Sequence, residues 1–226
     1  MAENEKVSVD TEDLKKETKE TVNQVKETIK NVNLKDDAEA TKGFVKEMFS
    51  NPIEAVKRAA SGEDGMFKKA IMIMLAYVIV AAVYEVLYCI RYNGITQILG
   101  SIVSIIFSAL SPVVSMLLLS LVVYIMNKNN KKPLTTVIST MVVASVPLVI
   151  YDALEIIRFL VHGATIVALF TSPISTMLYA VSIVLTYFGM KELLAEAEEK
   201  EAVKKFAKVK LVVALAMFIL GRIGLV

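Results

Sequence analysis

Five side chains stand where chemistry could be done inside an otherwise apolar chain: Glu85, Asp152, Glu155, Arg158 and His162. Glu85 follows Ala70 by fifteen residues of apolar sequence. On a helix that is about 22 Å, so it would lie about 8 Å below the far surface of a hydrocarbon layer roughly 30 Å thick. A charged carboxylate at that depth costs up to about 3 kcal/mol, so it is expected to be paired, protonated or wet. Asp152, Glu155 and Arg158 follow one another at three-residue spacing, which puts them on one helix face and lets Arg158 serve either acid. His162 comes one turn later. Asp152 lies nineteen residues beyond Pro133, about 28 Å along a helix, and is expected near the far interface. One reading of the set is a proton or cation path lined by Glu85, Asp152, Glu155 and His162. The other is a salt-bridge cluster that fixes the helices to one another. The second is favoured, because no acid is expected at the midplane, where a coupling site would sit. Arg158 is long enough to reach down into the bundle, so a pair with Glu85 is expected across two helices.

Other chemistries find little support. One histidine and one cysteine, Cys89, do not supply a familiar metal site or a Cys–His nucleophile pair. No phosphate-binding glycine loop and no His-Glu-x-x-His occurs. No catalytic residue, cofactor or metal is therefore expected, and the protein is read as non-enzymatic. Basic residues flank apolar runs and form no single exposed stripe, so nucleic acid is not an expected partner.

The elements that must hold these residues follow from hydropathy and charge. Of 226 residues, 55% are hydrophobic. Residues 1–66 carry 11 Lys and Arg against 15 Asp and Glu, net −4, while 67–226 carry 14 against 8, net +6. The sequence predicts an all-α, polytopic membrane helix bundle with five transmembrane helices behind an N-terminal cytosolic tail. The organising stretch is 127–163, which opens on lysines, turns at Pro133, runs apolar through Pro147 and ends in the charged triplet. Spans are expected at about 70–90, 95–126, 133–159, 164–189 and 211–226, the second as one tilted helix kinked at Pro112. Gly100, Ser104, Ser108 and Ser115 in the second span, and Ser172, Ser175, Tyr179, Ser182 and Thr186 in the fourth, form stripes of the kind that pack helices closely. Thirteen Lys and Arg flank the spans on one side; only Arg91, Arg158 and Arg222 flank them on the other. That asymmetry predicts a cell-membrane protein with a cytoplasmic N-terminus and an exterior C-terminus.

Residues 1–40 read as a charged tail, partly helical or disordered, with a narrow stripe of Leu14, Val22, Val25, Ile29 and Val32. It is expected to be separable from the fold, since it has few apolar side chains to bury. Residues 41–66 read as two juxtamembrane amphipathic helices. Phe44, Val45, Met48 and Phe49 form one apolar side, and Ile53, Val56, Ala59 and Ala60 the other. Asn51 is the expected N-cap and Pro52 the first helical residue of the second. Such helices lie on the bilayer surface or pack under the bundle. Expected partners are the lipid bilayer and either a protein recruited by the tail or a second copy of the chain.

The layout resembles the Yip1 family of small polytopic membrane proteins. The likeness is carried by Asn51-Pro52-Ile53-Glu54 before the first span and by Lys131-Lys132-Pro133-Leu134-Thr135-Thr136 opening the third. It continues in Ala144-Ser145-Val146-Pro147-Leu148 and in Phe188-Gly189-Met190-Lys191-Glu192-Leu193-Leu194. The resemblance spans residues 51–226 and implies five helices, a cytosolic N-terminus and a short or absent exterior tail. Eukaryotic members take part in Rab-linked vesicle traffic and membrane shaping, and their Asp-Leu-Tyr-Gly-Pro signature is absent here. That absence removes the basis for a trafficking role, and the resemblance supplies no activity or catalytic residue. The chain is read as a membrane scaffold or adaptor, and the alternative reading is a small channel or transporter component that uses the acidic cluster.

Overall fold

The computed structural model describes residues 11–127, 132–161, 165–195 and 198–222, with all their side chains except those at 11, 13 and 165–170. These residues form nine α-helices and one short 3-10 turn. The first three, α1 (Thr11–Lys30), α2 (Leu34–Ser50) and α3 (Pro52–Ser61), make a layer at one end of a bundle. The bundle holds α4 (Met66–Asn93), α5 (Ile98–Met126), α6 (Leu134–Ala144), α7 (Val146–Leu160), α8 (Thr165–Leu194) and α9 (Glu199–Arg222).

Among the described residues three helices are long and apolar enough to cross a membrane: Met66–Asn93, Ile95–Met126 and Thr171–Leu194. The pair α6 and α7 makes a fourth if it is taken as one bent span. In α9, lysines and glutamates run on to Lys210, and only twelve described residues follow, about 18 Å of helix against roughly 30 Å of hydrocarbon. The outer faces are apolar and exposed on α5 (Leu99, Val103, Ile106), α8 (Met177, Val184) and α9 (Leu211, Phe218) alike, a surface suited to lipid. Span two is one helix through Pro112.

The core is built around α6. Leu134 and all residues from Val137 to Ala144 are buried. One side of α6 meets Phe44 and Met48 of α2, Val56 of α3 and Ala70 and Ile73 of α4, and the other meets Met190 and Leu193 of α8 and Val209 of α9. Close approach is set by Gly189 of α8, where an added Cβ would lie 2.9 Å from Thr140 Cγ2 and 3.2 Å from Val56 Cγ1. The third span is therefore not one straight rod. The axis bends by 42° between α6 and α7, because Pro147 brings no N–H and its ring crowds the carbonyl four residues back. At the break, the Leu148 amide donates to the Ser145 carbonyl, and the Ala144 carbonyl accepts instead from the Ser182 hydroxyl of α8 at 3.2 Å. A neighbouring hydroxyl that takes up a freed carbonyl is how apolar bundles tolerate proline.

The small-residue stripes hold in part. In α8 the buried polar face is Thr171, Ser175, Ser182 and Thr186, whereas Ser172 and Tyr179 of the expected stripe are exposed. Gly100 and Ser104 of α5 also face outward, and Ile105, Ala109 and Met116 pack instead.

The N-terminal layer is docked and not free. The boundary expected at residue 40 falls inside α2, which starts at Leu34. There the Asn33 backbone N–H donates to Asp37 Oδ2 at 2.8 Å and the Asn33 amide donates to Asp36 Oδ2 at 2.6 Å. Two acids in the first turn also suit the positive end of the helix. Phe44 and Met48 are buried while Phe49 is half exposed, and in α3 Ala55 takes the inward place expected for Ile53. α1 touches α4 and α6 and buries Thr21, with Val22 and Ile29 turned outward. Ion pairs hold the layer: Lys68 to Asp37 at 2.8 Å, and Arg58 to Glu63 through two bonds of 2.5 and 2.6 Å and to Glu47 of α2. Gly62, in the left-handed region at φ +80°, ends α3 and turns the chain into α4.

Candidate functional site

The charged residues singled out from sequence lie on α4 and α7, and the fold sorts them into three separate settings. Arg158 donates to Glu155 Oε1 at 2.6 Å, one turn away on α7. The same carboxylate oxygen accepts from Ser175 Oγ of α8 at 3.4 Å, so this group bridges two helices. Asp152 faces the Tyr77 hydroxyl of α4. Glu85, partly buried on α4, has no hydrogen bond or ion pair among the described residues. The pair expected between Glu85 and Arg158 is thus not formed. Arg158 spends its donor on the nearer acid, which its own helix presents at i−3, where no extra ordering of the chain is needed. His162 lies outside the described residues.

Asp152 also sits lower than expected. Its neighbour Tyr77 is only seven residues beyond Ala70, about 10 Å along α4, so Asp152 lies within about 5 Å of the middle of a roughly 30 Å layer and not near the far interface. The reason is the start of α6. Its first turns pack beside α3, where Thr136 lies against Gly62, and the bend at Ser145 shortens the remaining rise. The argument from an empty midplane against a coupling site therefore loses its premise.

Above Asp152 is an aromatic cluster that was not anticipated. Tyr84, Tyr88 and Tyr92 follow at four-residue spacing on α4 and gather around Phe159 of α7, with centroids 5.8, 6.3 and 6.3 Å from its ring. Arg91 closes the group, with its guanidinium 4.8 Å from the Phe159 ring centre and Nη1 donating to the Phe159 carbonyl at 2.8 Å. Together these contacts cap the end of α7. The signal was the tyrosine period of four, which marks one face of a helix. Tyrosines and an arginine at one end of an apolar helix suit a membrane interface. Compared with protein-family models, curated proteins and solved structures, the chain matches none.

No group of three or more His, Cys, Asp or Glu that could hold a metal occurs among the described residues. What the arrangement offers is one carboxylate, Glu155, paired with Arg158 and bonded to α8, a second, Asp152, facing Tyr77 of α4, and a third, Glu85, without a bonded partner among the described residues.

Proposed function

We propose that the chain is a multi-pass cell-membrane protein with five spans, a cytoplasmic N-terminus and an exterior C-terminus, acting as a non-enzymatic scaffold or adaptor of the Yip1 type. The observation that carries this is the layer of α1, α2 and α3, fastened to the lysine-rich end of the bundle by Asp37–Lys68 and tied within itself by Arg58–Glu47. A rigid, charged platform at the basic end presents a fixed surface where a partner can dock, while the carboxylates of α7 are used internally. The test is cross-linking in native membranes with the intact chain and with residues 1–30 removed. Loss of a discrete cross-linked partner on removal is expected; capture that does not depend on α1 would overturn the adaptor reading. A second reading, a small channel or transporter component, is favoured by Asp152 at mid-height and by Glu85 without a partner. Electrogenic flux in proteoliposomes that is abolished by Glu85→Gln would establish it in place of the first.

A further inference from the structure

We propose that the groove between α2, α4 and α7 is a binding site for an anionic phospholipid of the cytoplasmic leaflet, one acyl chain lying in the groove and the phosphate held by lysines of α2. This rests on the membrane reading above. The groove has a volume of about 310 Å³ and almost wholly apolar walls, formed by Thr41, Lys42 and Val45 of α2, Met72 and Ala76 of α4 and Val149 of α7. That volume is at the lower end of ordinary ligand sites. Met72 and Ala76 follow Ala70 by two and six residues, about 3 to 9 Å along α4, which is the depth of acyl chains just inside the basic end. Water is a poor occupant, because a stable buried water needs two to four polar partners and these walls offer almost none. A hydrocarbon chain needs none.

The charge at the rim selects the headgroup. Lys35, Lys42 and Lys46 follow at seven and four residues, so they share one side of α2. None of the three makes an ion pair among the described residues, whereas Lys57 and Arg58 of the same layer and Lys68 of α4 are all paired. Lys42 itself lines the groove, and a lysine can lay its stem on apolar wall while its ammonium reaches the headgroup level. An unneutralised lysine beside a hydrocarbon slot matches a phosphate joined to an acyl chain.

The chain contains no tryptophan, so an introduced one reports alone. Met72→Trp places it in the groove, and Val184→Trp places a control on the exposed face of α8. Both full-length variants are reconstituted in phosphatidylcholine vesicles that contain, at equal mole fraction, either brominated phosphatidylglycerol or brominated phosphatidylcholine. The groove reporter is expected to be quenched with about fivefold preference for the anionic lipid, the scale set by one lysine near its headgroup. The control should be quenched equally by both, and Lys42→Gln with Lys46→Gln should abolish the preference. Equal quenching of the groove reporter by the two lipids would overturn the proposal. So would an unquenched groove reporter beside a quenched control. If neither reporter is quenched, the membrane reading itself fails and takes the inference with it. Val149→Trp on the opposite wall gives the same readout should Met72→Trp not fold.

Discussion

Gly189 shows how much of the bundle hangs on one missing methyl group. Its α-carbon brings α8 against α6 and α3, and a Cβ would sit 2.9 Å from Thr140 Cγ2 and 3.1 Å from Met141 Cε. Thr140 and Val56 are fully buried, so they have little room to withdraw, and overpacking of a tight core costs about 1–3 kcal/mol. Gly189→Ala should lower thermal stability in detergent, and Thr140→Ser, which deletes the offending methyl and keeps the hydroxyl bond to Thr136, should recover part of the loss. Simple additivity of the two changes would show that the contact is not the cause. Arg158 makes a second residue-level prediction. Because it is bonded to Glu155 and not to Glu85, a double-mutant cycle of Arg158→Met with Glu155→Gln should show coupling of about 1–2 kcal/mol, less than for a fully buried pair. The same cycle with Glu85→Gln should show almost none. Larger coupling to Glu85 would restore the pairing that its depth suggests.

At the scale of elements, α2 is held by contacts that differ in their response to acid. Phe44 and Met48 are apolar anchors in the core, side chains with no proton to gain or lose, and Lys69 lies 5.0 Å over the Phe44 ring. Asp37 and Glu63 do titrate. The hydrogen bond from Lys68 holds the Asp37 carboxyl below its ordinary range, and the bonds from Arg58 do the same for Glu63. A depressed carboxyl contributes stability that is present above its unfolded pKa, about 4, and is lost as pH falls through the lower folded value. Docking of α2 should therefore be constant from neutral pH to about 4 and weaken below it. Hydrogen exchange of α2 amides, corrected for the intrinsic rate at each pH, measures this. Protection in α2 that falls near pH 6, or not at all in acid, would refute the assignment to these two carboxyls. The α6–α7 break is an element of the opposite kind, fixed by covalent geometry at Pro147 and by the Ser182 bond, neither of which titrates.

For the whole molecule, the layer at the lysine-rich end and the aromatic cap at the other give the bundle two unlike ends. The proposed topology puts Asn129 inside and Val226 outside. With the buried Cys89 replaced by Ser, single cysteines at 129 and 226 should be labelled by an impermeant maleimide from the cytoplasmic and exterior faces respectively. Exterior labelling at 129 would invert the whole assignment, and cytoplasmic labelling at 226 would reduce the span count by one.

The sequence alone determined the helical class, the positions of the long apolar helices and the Asn51-Pro52 helix start, because these rest on local properties: run length, period and the fixed φ of proline. It also marked Glu85, Asp152, Glu155 and Arg158 as the residues to follow. Which of them meet was decided only by the tertiary structure. Helical rise counts distance along one axis, and it cannot register that α6 begins beside α3 or that the axis turns by 42° at Ser145, so it set Asp152 too high. The same holds for the tail. Within residues 1–40 the apolar Val22 and Ile29 stay exposed, yet α1 lies on α4 and α6 and buries Thr21 there; those helices are distant in sequence, and burial is a property of both partners.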